Sequence, residues 1–320
     1  MTMDAAAGTL LTAIAQVLLV LGCAPLLQGI MRKVKARLQY RRGPSIWQPY
    51  RDLHKWWGKT PVESDTASVV TAAAPVIVLA AMVSAMLLLP IVSVRPPLDH
   101  AGDVLVVVGL LALARFAMAL AALDAGSAFG GMGASREVAI ASLVEPGVLL
   151  ALAVAVAGAG TTDLAVIAAR GTSAGWSMFT PALLLGALAF GIVAVAETGH
   201  EPVDNPDTHL ELTMIHEGML IEASGRRLAM LTYASQLKLV VVVGLFAAVF
   251  LPFGSASSTA PAAVAAGTAF ALLKLLVAAC GLALLDAGMA KVRIMALPGL
   301  LGVSSLLALT ALAAHLWLPA

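Results

Sequence analysis

The acids most able to do chemistry in this 320-residue chain lie where a charge is costly. Glu145, Glu197 and Asp286 fall within or at the ends of long apolar runs, and Arg115 and Lys274 lie inside two others. A charge near the bilayer centre costs at least about 2.5–3.5 kcal/mol on insertion scales, so such groups face a bundle interior, pair up, or line a wet path. Glu201, Asp204 and Glu211, all in one segment, extend the supply of carboxylates inward from one face. Carboxylates spaced along a wet path can relay protons. The same residues also suit a purely structural role, as ion pairs that hold helices in register, with Arg115 and Lys274 as counter-charges. Both readings stand at this level.

Other chemistry finds no ligand set. His216-Glu217-Gly218-Met219-Leu220 begins like the zinc motif HExxH, but leucine occupies the second histidine position. Gly131-Met132-Gly133 lacks the third glycine of a dinucleotide loop and follows no strand. His200, His209 and His216 share a segment without metal-site spacing, and the expectation is polar interface histidines. The cysteines, Cys23 and Cys280, lie far apart in apolar runs and form no CxxC pair, so they read as small buried thiols and not as cluster ligands. No metal or cofactor is expected in this chain.

The elements that must position the acids are helices in a membrane. Apolar residues make up 60% of the chain and charged residues 12%, about half the charged share of a soluble domain, and mean hydropathy is +0.95. Eight apolar runs are separable, at about 8–30, 68–90, 103–122, 138–160, 178–198, 236–253, 262–287 and 297–318. Each approaches the ~20 residues needed to cross ~30 Å of hydrocarbon. The expectation is an all-α integral membrane protein of about eight transmembrane helices, one membrane domain over 1–320. The stretch 161–169 is expected to be an external loop. The first apolar run ends in basic residues, as in a retained helix and unlike a cleaved signal peptide.

Of the 19 basic residues, all but Arg95, Arg170, Arg115 and Lys274 fall in the loops after the odd-numbered runs. Positive charge stays inside, so those loops face the cytoplasm and both termini lie outside a plasma (inner) membrane. The net charge of +1, with basic residues flanking the membrane, leaves no patch for nucleic acid. Two cytoplasmic segments are too patterned to be plain connectors. In Met31–Asp65, Ile46, Tyr50, Leu53 and Trp57 recur at helical spacing, with Arg51, Lys55 and Lys59 on another face and Trp47, Trp56 and Trp57 as anchors. That describes an amphipathic helix in the headgroup layer. In Glu197–Lys238, Asn205-Pro206 looks like a helix start and Ser224-Gly225 like a stop, enclosing about four turns that carry Asp207, Glu211, Glu217 and Glu222.

At these residues the chain resembles the subunit 1 family of respiratory complex I. The first cytoplasmic segment matches at Gln39, Arg41, Gly43-Pro44, Pro49, Asp52 and Lys55. The second matches at Ala196-Glu197, Pro202, Asp204, Pro206, Glu211-Leu212, Glu222, Ser224 and Gly225. Departures from the complex I pattern, GPSIWQPYRD in place of GPxxxGP and GHEPVDNPDTHLELTMIHE in place of NRxPFDxPE, resemble the hydrogenase branch instead: the membrane subunits of formate hydrogenlyase and hydrogenase-4 (subunit 4, or component C).

The resemblance implies a subunit lying beneath a nickel–iron hydrogenase-like large subunit and iron–sulfur subunits, and joined to antiporter-like membrane subunits that move protons or sodium ions. The nickel–iron centre and the iron–sulfur clusters would be on those partners. It further implies that Arg37, Gln39, Arg41, Arg42, Gly43 and Pro44 dock the large subunit. Glu145, Glu197, Glu201, Asp204, Glu211 and Glu222, with Asp286 and Lys274, would couple its redox events to proton movement. The alternative within the family is a quinone-binding subunit of an NADH–quinone oxidoreductase. Outside it, a stand-alone transporter accommodates Glu145 and Lys274 but lacks paired inverted halves.

Overall fold

The computed structural model describes residues 3–62, 64–204 and 215–317, with side chains from residue 8. Its helices are α1 (Met3–Leu38), α2 (Gln48–Trp57), α3 (Val69–Leu88), α4 (Val104–Asp124), α5 (Ala128–Ala159), α6 (Leu164–Ala174), α7 (Pro181–Glu197), α8 (His216–Leu220), α9 (Gly225–Phe250), α10 (Pro261–Gly288) and α11 (Leu297–Trp317). Seven of these are long and apolar enough to cross a membrane, and α6 with its 3₁₀ extension to Met178 meets α7 at 117°, a bent pair that makes an eighth if it is counted as one span. The protein is a multi-pass membrane protein, as its composition requires.

Local signals explain most helix starts. Ser68, Asp103, Ser127, Asp163 and Thr180 each accept a backbone N–H in the first turn of the helix that follows. Each such cap contributes about 1 kcal/mol. Proline opens α7 and α10, where its missing N–H has no helical partner to lose. The amphipathic segment forms α2 with Pro49 in its first turn, as its spacing predicts.

The bundle is built on α3 against α4, α1 against α10, and α11 against α5 and α7, with α9 threading the middle. Buried polar side chains tie helices whose apolar faces have no hydrophobic drive to associate in lipid. The Gln16 amide of α1 donates to the Met86 and Leu89 carbonyls, both at 2.8 Å, at the end of α3. Pro25 removes the N–H that would bond the Leu21 carbonyl within α1. The Tyr233 hydroxyl of α9 donates to that carbonyl at 2.9 Å, and Tyr50 of α2 bonds the neighbouring Gly22 carbonyl.

Three expectations from the sequence are corrected. The stretch 161–169 is not a plain loop, because Asp163 caps α6 and joins Asp103 in an isolated bridge. α5 starts ten residues before the expected 138, and α9 eleven before the expected 236, so Arg136, Arg226, Arg227 and Lys238 lie in helices and not in loops. Ser224-Gly225 opens α9 instead of closing a loop helix, and α8 covers only five residues. The expected start at Asn205-Pro206 lies outside the described residues.

The early starts have a physical reason. Leu231, Ala234 and Leu237 bury one stripe of α9, and Gln236 is buried with them. At the start of α5, Gly130, Gly133 and Ala134 are buried. A Cβ on Gly133 would lie 2.9 Å from the Ile215 carbonyl and 3.1 Å from the Met219 amide, so only glycine lets α5 approach α8 this closely.

Candidate charged site

Arg115 projects from the middle of α4 and is 7% exposed. Its guanidinium meets three carboxylates. One amino group bonds Glu197 at the end of α7, the other lies 2.8 Å from Glu145 Oε1 of α5, and Nε lies 3.4 Å from Glu137 Oε1, two turns earlier on α5. Lys238 of α9 reaches the other oxygen of Glu197 at 2.9 Å. Glu197, with 3% of its side chain exposed, is thus held between two cations from two helices. Burying these charges is repaid only because every one has a partner, and removing a single partner from such a set typically costs about 3–5 kcal/mol.

A second group of pairs follows in the turn after α7. His200 Nδ1 lies 2.9 Å from Asp286 Oδ2 of α10, and the Glu201 amide donates to Asp286 Oδ1 at 3.0 Å. Glu201 faces Lys35 of α1 at 3.7 Å. Asp204 binds Lys291 at 2.7 Å and accepts the His216 amide at 3.3 Å. The Val292 amide donates to the Pro202 carbonyl at 2.9 Å. Residues 197–204 therefore bind α1, α4, α8, α9 and α10 together, and three of their acids, Glu197, Glu201 and Asp204, are buried.

Between the two groups lies a polar cavity of about 120 Å³ whose walls include Glu137, Glu197, His200, Asp204, His216 and Lys238. A second hollow of about 30 Å³ continues from Glu137, His216 and Lys238 to Arg115. One water needs about 10–15 Å³ by such a measure, so the first cavity has room for several. Buried His216 Nε2 and Gln236 Oε1 have no hydrogen-bond partner among the described residues. A buried polar atom left so costs about 1–3 kcal/mol, which water in this cavity would offset.

The structure thus brings Glu145 and Glu197 to one cluster and Glu201, Asp204 and Asp286 to the adjoining one. Glu211 lies outside the described residues. Glu222 sits in the turn before α9, beside a separate hollow lined by Thr71, Pro75 and Arg227. Lys274 donates to the Leu251 carbonyl at 2.6 Å, capping the end of α9 away from both clusters. Arg37, Gln39, Arg41, Arg42, Gly43 and Pro44 are all exposed at the end of α1 and the turn after it. Gly43 has φ +64°, and Lys33 holds the turn through the Arg42 carbonyl at 2.7 Å. Among the described residues no group of three potential metal ligands converges.

Sequence reasoning missed Glu137, Gln236, the pairing of His200 with Asp286 and the place of Lys238 within α9. Ser224 could have signalled Lys238: as a helix start, it puts that lysine more than three turns inside a span.

A family model described as NADH dehydrogenase matches residues 11–318. Hydrogenase-4 component C of Escherichia coli (strain K12) is 38% identical over 265 residues, covering 82% of each chain. Formate hydrogenlyase subunit 4 of the same organism is 36% identical over 281 residues, covering 87% of this chain and 90% of that one. Among solved structures, a chain of the membrane-bound sulfane sulfur reductase, an archaeal respiratory membrane complex, superposes with a TM-score of 0.82 at 25% identity, covering 95% of this chain and 99% of that one.

Proposed function

The chain belongs to the NADH dehydrogenase family, the subunit 1 family of respiratory complex I, and on that premise we propose that it is the membrane-anchoring and coupling subunit of a formate hydrogenlyase-like, energy-converting hydrogenase complex. The observation that carries the coupling role is Glu197, buried between Arg115 and Lys238 at the wall of a polar cavity. A carboxylate with a cation on each oxygen, at the wall of a cavity that has room for water, can exchange a proton with that cavity when either cation moves.

In this reading Glu197, Glu145, Glu201, Asp204 and Asp286 form the path along which a redox event in a peripheral subunit is transmitted to proton or sodium-ion movement. The exposed turn of Arg37, Gln39, Arg41, Arg42, Gly43 and Pro44 docks a nickel–iron hydrogenase-like large subunit on the cytoplasmic side, with both termini on the opposite side. Iron–sulfur and antiporter-like membrane subunits complete the assembly. The redox centres belong to those partners, and this chain contributes position and electrostatics.

The test is to tag the chain, purify it in mild detergent, and identify by mass spectrometry what accompanies it. A hydrogenase-like large subunit with iron–sulfur and antiporter-like subunits is the expected result. NADH-oxidising subunits in their place would overturn the reading in favour of a quinone-reducing complex. Within the assembled complex, Glu197→Gln is expected to preserve assembly and abolish ion movement. Undiminished ion movement would reduce the cluster to pins that hold the helices in register.

A further inference from the structure

On the side of α7 away from Arg115, the helices α7, α9, α10 and α11 enclose an apolar cleft of about 680 Å³. Its walls include Gly191 and Val195 of α7, Val243 and Phe246 of α9, and Gly281 and Leu285 of α10. A Cβ at Gly191 or at Gly281 would meet nothing within 4 Å, so both glycines face open volume and not a packed neighbour. Among the described residues Thr198 is the one polar side chain in the lining, and its hydroxyl already donates to the Ala194 carbonyl at 2.7 Å.

The cleft has a definite length, and the chain that closes one end of it leads into an arginine. It runs from Ala187 to Thr198 along α7 and from Ala278 to Met289 along α10. At ~1.5 Å per residue that is about 16 Å, half of the ~30 Å hydrocarbon thickness. At its mouth the Pro202 carbonyl accepts the Val292 amide, and the next residue is Arg293. Arg293 is exposed and has no ion-pair partner among the described residues.

We propose that this cleft binds one acyl chain of an anionic phospholipid whose phosphate is held by Arg293. The half-membrane length fits a chain from a single leaflet, whereas a spanning helix of a partner needs a groove of full thickness. Among the described residues the lining offers no free donor for the carbonyl of a quinone ring. An unpaired arginine at headgroup level supplies the charge that a phosphate needs.

The experiment uses the full chain with its accompanying subunits, reconstituted in nanodiscs of phosphatidylglycerol and phosphatidylcholine, then delipidated and examined by native mass spectrometry. The wild type is expected to retain phosphatidylglycerol with roughly a fivefold preference. Gly191→Leu with Gly281→Leu, which fills the cleft from positions with open space, should abolish retention without loss of assembly. Arg293→Gln should keep a bound lipid and lose the preference. Equal retention by the filled variant, an unchanged preference in Arg293→Gln, or recovery of a quinone would each overturn the proposal. So would crosslinking of a partner helix to Gly281→Cys. Should the double-leucine variant fail to assemble, the surface substitution at Arg293 decides the matter alone.

Discussion

Tyr233 donates its hydroxyl proton to the Leu21 carbonyl, the acceptor that Pro25 leaves without a helical partner. A backbone bond missing from α1 thereby becomes an attachment point for α9, and Tyr50 uses the next carbonyl to attach α2. Proline is tolerated within a membrane helix when a neighbour satisfies the freed carbonyl in this way.

The relationship predicts a non-additive pair. Tyr233→Phe should cost about 1 kcal/mol in the wild type. In a Pro25→Ala background, where the backbone bond re-forms, the same change should cost close to nothing. Thermal unfolding of the four proteins in one detergent measures the cycle, and equal costs in both backgrounds would sink the account.

Arg115→Gln should destabilise the chain by about 3–5 kcal/mol, because it leaves Glu145 and Glu137 without their shared cation and Glu197 with Lys238 alone. Adding Glu137→Gln should recover part of that loss by removing one of the stranded charges. Melting temperature in detergent is the readout, and a double variant no better than the single one would place the cost elsewhere.

Lys274→Met should leave ion movement by the assembled complex unchanged. Its ammonium caps the Leu251 carbonyl and takes part in neither cluster. Lys238→Met should abolish ion movement, since it removes one of the two cations on Glu197. Proton uptake by proteoliposomes of both variants separates the roles, and equal deficits would contradict the placement.

Gly133→Ala should misplace His216 and open the cavity. The added methyl would press on backbone atoms of α8, which cannot rotate aside as a side chain can. Reduced assembly, or faster amide hydrogen exchange in residues 215–220, is the expected outcome. Wild-type exchange there would show that α5 and α8 have room to spare.

Much of this was legible beforehand. α2 followed from Ile46, Tyr50, Leu53 and Trp57, and the limits of α10 and α11 followed from uninterrupted apolar runs. Glu145 and Glu197 stood out because an acid in such a run demands a partner. The starts of α5 and α9 were hidden for the complementary reason. Averaged hydropathy cannot distinguish a polar stretch in water from one turned into a bundle, and Glu137, Gln236 and Lys238 belong to the latter kind. Which cation meets which acid depends on helix rotation, so Arg115 with Glu197 could be suspected from the sequence but not assigned.

The same pairing constrains how the chain enters the membrane as it is made. Arg115 leaves the ribosome 30 residues before Glu145 and 82 before Glu197. A lone α4 would present an uncompensated cation to lipid, at about 2.5–3.5 kcal/mol on insertion scales. α4 followed closely by α5 carries its own counter-charge, so the two can enter as a hairpin. Glu197 and Lys238 then arrive at a site that is already half built, and the order of synthesis becomes the order in which the interior is neutralised.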